Sequence, residues 1–254
     1  PARDAYLLGA IQNGNLDAPE WVDVQCGPVT LSVSSDYLKI QGDRVPMAAP
    51  VAQAACDALA ALLPTPKIVE AIEAAATIVA MPTRPPDGNN QLSAEWIAWC
   101  EEETQRRMVG ISGLVAGHRK DVVTCKGMAG RPGRVWIFGA RWPNGKRIEV
   151  VAHGGHEAAY ADTSHGTRAI RDACLVNGEP ARVSEILRDP QRAGWLSSEG
   201  ALTVVRYPLA PGQSTPHGAA TNDGNVHNGG SHVAHNAGSA GTGQTTRATV
   251  GTAA

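Results

Sequence analysis

Between His153 and Arg168 the chain crowds together residue types that do chemistry: His153, Gly154, His156, Tyr160, Asp162, Thr163, Ser164, His165, Gly166, Thr167 and Arg168. An imidazole titrates near neutrality, so beside a carboxylate it can act as a positioned base. His165 is the candidate base and Asp162 its orienter. Ser164, or the thiol of Cys125 brought from another strand, is the candidate nucleophile. Arg168 can clamp a carboxylate through two parallel hydrogen bonds. His153, His156, Tyr160 and Trp142 are candidate substrate contacts. Upstream, the Gly117-His118-Arg119-Lys120-Asp121 run adds His118 and Asp121, which could complete a His/Asp pair across a sheet from His165.

Three chemistries compete for these residues. Acyl transfer would use the hydroxyl or thiol, a histidine base and the backbone N–H groups of the Gly166 turn as oxyanion donors. Metal-assisted hydrolysis would draw on His153, His156, Asp162 or His165, but no HExxH or HxH pair is present, and neither a metal nor a cofactor is expected. The third assignment is architectural: Asp162 and Ser164 cap a turn, His165 bonds backbone, and Arg168 pairs with an acid. Likewise Asp121 can be a turn former, with Arg119 and Lys120 a solvated edge.

The elements around these residues follow from periodicity. Residues 28–40 alternate, with Val29, Leu31 and Val33 on one face of a strand. Ala49 to Leu63 reads as a helix stopped by Pro64. Thr65 then caps a second helix with Pro66 at its first position, ending at Pro82. Residues 82–91 form a loop. Ser93 caps a third helix to about Met108, whose Glu101 to Glu103 and Arg106/Arg107 make a charged outer face. Beyond Ile111 the period becomes two. Strands are expected at 114–123, 134–140, 147–153, 168–176 and 202–207, with a short helix at 183–187. The Asn144-Gly145 turn between Trp136/Phe138 and Ile148/Val150 is the strongest hairpin signal. Trp136 and Trp142 on that hairpin could form a sugar-stacking platform. Helices before about 110 and strands after it predict an α+β fold, an antiparallel sheet with N-terminal helices packed on it.

Composition sets the limits. Of 254 residues, those from about Pro211 on are rich in Gly, Asn, Thr and His with few large apolar side chains. This divides the chain into a single domain over 1–210 and an extended tail over 211–254. The tail holds only two charged residues, which suits backbone packed on neighbouring subunits of a homo-oligomer or particle. A net charge of −2 gives no attraction to nucleic acid. No run reaches the ~18 apolar residues of a membrane span. Five scattered cysteines without CxxC spacing argue against a disulfide framework. With no secretory leader at its start, the chain is expected to be made in the cytoplasm, with a virion as one destination.

His153-Gly154 followed by Ser164-His165-Gly166-Thr167-Arg168 resembles the catalytic signature of L,D-transpeptidases, in which a strand ending in His-Gly precedes a Ser-His-Gly-Cys-Arg turn. That resemblance implies a peptidoglycan substrate and a thioester-forming cysteine, but Thr167 stands at the cysteine's position. Over most of residues 30–207 the chain is also similar to a family of uncharacterised bacterial and phage proteins. The shared stretches are 63–69, 117–121 and 160–168. Two functions are carried forward. One is a phage-associated cell-wall hydrolase or acyl-transferase. The other is a non-enzymatic virion or surface-assembly protein whose tail packs on adjacent subunits.

Overall fold

The computed structural model describes residues 2–80, 82–84, 91–142 and 144–209. The chain begins with α1 (Ala2–Gln12), then the hairpin β1 (Trp21–Cys26) and β2 (Val29–Ser34). Next come α2 (Ala49–Ala58), β3 (Ala61–Leu62), α3 (Pro66–Ala75), β4 (Ile78–Val79) and α4 (Ala94–Arg107). The second half holds β5 (Val115–Ala116), β6 (Lys120–Val122), the single turn α5 (Gly127–Gly130), β7 (Arg134–Arg141) and β8 (Arg147–Glu157). It closes with β9 (His165–Gly166), β10 (Ile170–Val176), β11 (Glu179–Arg182) and α6 (Val183–Arg188).

The fold is α+β, with two mainly antiparallel sheets and a separate two-stranded one. The first runs β1-β2-β10-β11, with β3 also pairing β10; the second runs β8-β7-β6-β9. Two pairings are parallel, β4 with β5 and β6 with β9. Helix α3 reaches both sheets. Its Ile68 and Ile72 join Leu31, Ile170 and Ile186 in one core, while Val69 packs with Phe138 of β7. A further core gathers α1 and α2 with Val122, Val135 and Ile137. Burying apolar area of this kind supplies about 25 cal/mol per Å².

Local chemistry explains the boundaries. Thr65 Oγ1 accepts from Ile68 N at 3.2 Å and Ser93 Oγ from Trp96 N at 3.1 Å, so both expected caps form. Alternation places Val29, Leu31 and Val33 in the core. Gly145 and Asn144 turn the β7–β8 hairpin, Asn144 Oδ1 accepting from Lys146 N at 3.0 Å. Asn177 and Gly178, both at positive φ, turn β10 into β11.

Several expectations need correction. The helix from Ala49 stops at Ala58, because Ala60 takes a positive φ and the chain leaves as β3. The helix capped by Thr65 stops at Ala75, and Ile78–Val79 become a strand. The strand expected at 114–123 is split at Gly117 into β5 and β6. The strand beginning at 28 ends at Ser34, and 202–207 is irregular. Segregation of helices from strands is incomplete, since the β1–β2 hairpin precedes all helices but α1. The proposed tail, 211–254, lies outside the described residues. Among the described residues no helix is long and apolar enough to cross a membrane.

Candidate functional site

The segment carrying Ser164 to Arg168 is a crossing between the two sheets. Strand β9 closes the edge of one sheet, and three residues later β10 enters the middle of the other. Such a crossing strands backbone carbonyls away from water, and they need donors. Arg168 supplies them. Its guanidinium donates to Ser34 O at 2.8 Å and to Val115 O at 2.7 Å, at the ends of β2 and β5. Its Nε lies 3.5 Å from Asp121 Oδ1 of β6, and the group stacks 4.4 Å over the Tyr37 ring. Arg168 is 1 % exposed and so ties β2, β5 and β6 together from inside.

Gly166 belongs to the same packing. A Cβ at this position would meet Tyr37 ring carbons at 2.5 and 2.6 Å. Only a glycine lets that ring close over the crossing. The Tyr37 hydroxyl lies 3.0 Å from Asp121 Oδ2 and 2.9 Å from Arg119 O, and its ring edge meets His118 at a centroid distance of 4.8 Å. Burial raises the Asp121 carboxyl to about 6, with Arg168 pulling the other way.

The predicted acid–base residues are only partly assembled. His153, His156, Tyr160 and His165 form a chain of rings. His156 stacks on Tyr160 at 4.0 Å and Tyr160 meets His165 edge-on at 5.6 Å. Asp162 accepts from Tyr160 Oη at 2.9 Å, from Ser164 N at 2.8 Å and from Ser164 Oγ at 2.6 Å. This is a side-chain-capped turn of the Asx kind. Burial would raise Asp162, but His165 and the Ser164 bonds hold it below the usual carboxylate range. His165 is fully buried, and neither ring nitrogen takes a hydrogen bond. Burial pushes it down to about 4, Asp162 opposing, so it is neutral at pH 7.

No candidate nucleophile stands free beside that imidazole. The Ser164 hydroxyl is spent on Asp162. Thr167 is 1 % exposed, and its hydroxyl has no partner. Cys125 packs in the core with Val122, Met128 and Val135, and burial pushes its thiol to about 12. Asp121 does not pair with His165. It lies opposite Gly166 in the β6–β9 register, while His165 lies opposite Lys120. Alternation sends neighbours on a strand to opposite faces. His118 packs against Tyr37 and Asp36, not His165. Trp136 is half-buried where a Cβ on Gly127 or Gly154 would strike its ring, and Arg84 lies 4.2 Å over Trp142, so the two make no open platform. Among the described residues no group of three or more His, Cys, Asp or Glu is placed to hold a metal ion.

The residues that sequence reasoning missed form a buried ionic chain beside an open cleft. Arg44 donates to Asp36 and, at 2.9 Å, to Glu101 Oε1; Arg119 donates to Glu101 Oε2 at 2.7 Å. Glu101 and Arg119 were expected on solvated surfaces, yet both are buried. Each neutralises the other, which is how charges become tolerable inside a protein. Burial would raise Asp36, but Arg44 and His118 hold it at about 2. Asp36 and Arg44 line a cleft of about 610 Å³ together with Glu20, Lys39, Asp43 and Gln105 among others.

The fold and site thus describe an α+β domain whose imidazole-bearing turn is built into the architecture and whose open concavity is polar. No known family, curated protein or solved structure matches the chain.

Proposed function

We propose that this domain binds a polar cell-envelope ligand of the peptidoglycan class without cleaving it. The observation that carries the reading is the contrast between the two places. At the turn, Arg168 is committed to two carbonyls, Asp162 to Ser164, and His165 is sealed with no free nucleophile beside it. In the cleft, carboxylates, amides and hydroxyls line an open hollow: Glu20, Asp43, Gln41, Gln105, Ser35 and Ser112. Hydroxyl- and amide-rich ligands match such a lining by hydrogen bonding. In the transpeptidase-like turn, threonine stands in the nucleophile's place. The assembly alternative rests on residues 211–254, which lie outside the described residues.

The test is co-sedimentation with purified peptidoglycan sacculi. Wild type is expected in the pellet. Asp43→Ala combined with Gln105→Ala, two exposed positions on the cleft wall, should release it with folding intact. Equal pelleting of wild type and the double variant would defeat the proposal.

A further inference from the structure

The polar cleft has an apolar annex. A second hollow of about 410 Å³ is lined by Ile78, Ala80, Thr83, Thr104, Arg107 and His118, and it shares Met108 and Ile111 with the first. These two side chains therefore form the ridge between the chambers. Of the annex's apolar lining, Ile111 is 40 % exposed and so reaches solvent. Among the residues that line the annex, one buried polar side chain has no partner. His118 contributes to the annex wall, yet neither ring nitrogen takes a hydrogen bond. Its Nε2 stops 3.7 Å from Asp36 Oδ1, and Asp36 lines the other chamber. A buried imidazole with no partner is costly unless a bound group satisfies it.

From this geometry we infer that the site takes an amphiphile: a neutral, polyhydroxylated head in the polar chamber and an alkyl body in the annex, joined across the Met108/Ile111 ridge near His118. This deepens the envelope-ligand reading and rests on it. The head is neutral because the chamber's cations are already engaged. Arg44 is held by Asp36 and Glu101, and Lys39 lies 3.9 Å from Asp36. Asp43 and Glu20 line the chamber, and their carboxylates are acceptors suited to hydroxyl donors. The annex offers Ile78, Ala80, Met108 and Ile111 to an alkyl chain, each buried methylene worth about 0.8 kcal/mol.

Calorimetric titration with octyl glucoside below its micelle concentration, beside glucose, tests the inference on the full chain. Octyl glucoside should bind saturably, and glucose at least roughly a hundredfold more weakly. Ile111→Asp, at a partly exposed position, should weaken octyl glucoside at least roughly tenfold with the unfolding midpoint unchanged. Sacculus pelleting is run on the same proteins. If wild type pellets but octyl glucoside binds no better than glucose, or Ile111→Asp binds it equally well, the two-chamber inference is overturned alone. If wild type neither pellets nor binds octyl glucoside, the underlying reading falls with it.

Discussion

Replacing Arg168 with methionine separates an architectural arginine from a catalytic one. Methionine fills similar space without charge or donors. The change strands Ser34 O and Val115 O, which now accept at 2.8 and 2.7 Å, and leaves Asp121 beside no cation. Each charge-assisted bond of this kind is worth about 1.5–3 kcal/mol. Removing one partner of a buried ion pair costs about 3–5 kcal/mol in total, because Asp121 can escape part of the penalty by protonating. For a domain of this size about 1 kcal/mol moves the melting temperature by about 2–4 °C, so Arg168→Met should melt on the order of 10 °C lower. Adding Asp121→Asn should recover part of that loss, since the orphaned carboxylate is gone while Tyr37 keeps an acceptor. Scanning calorimetry on the wild type, both single variants and the double variant gives the comparison. A melting temperature for Arg168→Met within a degree of wild type would refute the view that this guanidinium holds the crossing together.

Three further expectations concern the same turn. Thr167→Cys completes the transpeptidase-like signature, yet the new thiol should stay inert to a thiol reagent in the native protein and react only on unfolding; rapid labelling would mean the turn is open. The five natural cysteines are all buried, so the wild-type background is low. Gly166→Ala should destabilise by about 1–3 kcal/mol through overpacking against Tyr37, read as a shift in urea midpoint; no shift would disprove the close approach. Stability should also fall with acid. His165 and His118 are lowered from 6.5 to about 4 and about 3, so what they contribute is complete above pH 6.5 and is lost as pH drops through those values. Asp121, raised to about 6, acts oppositely: its contribution is present at low pH and lost as pH rises through 6. Between pH 4.5 and 6 the two imidazoles give stability an upward slope with pH, opposed by the raised carboxyls of Asp121 and Asp57. His165→Leu should flatten that slope. Urea melts at three pH values decide it, and an unchanged slope would show that His165 is solvated.

Local signals in the sequence were legible because they are local. Thr65 before Pro66, Ser93 three residues before Trp96, and Asn144-Gly145 each act within a few residues, and each does in the structure what its chemistry dictates. The histidine turn was legible as a concentration of residue types, but its role was not. Arg168 reads as a clamp until one sees that the chain crosses between sheets there, which brings Ser34, Val115 and Asp121 to it from 134, 53 and 47 residues away. Glu101 shows the same limit. Its spacing to nearby arginines suggests an exposed helix face, and Glu103 does make those pairs, with Arg106 and Arg107. Glu101 instead turns inward to Arg44 and Arg119, partners that no periodicity links to it. The polar cleft was missed for a related reason. Its lining comes from three separated stretches, around Glu20, 35–44 and 105–115, none with a motif of its own. The β1 strand did carry a signal, the alternation of Val22, Val24 and Cys26 before the Gly27-Pro28 turn.

We propose that the histidine turn is architecture and the cleft is the site. The most direct test incubates the protein with sacculi and measures, in one sample, the bound fraction and the soluble fragments by mass spectrometry. Bound protein with no released fragments beyond the buffer control is expected, for both wild type and a folded His165→Leu variant. Fragments released by wild type and absent with His165→Leu would contradict it.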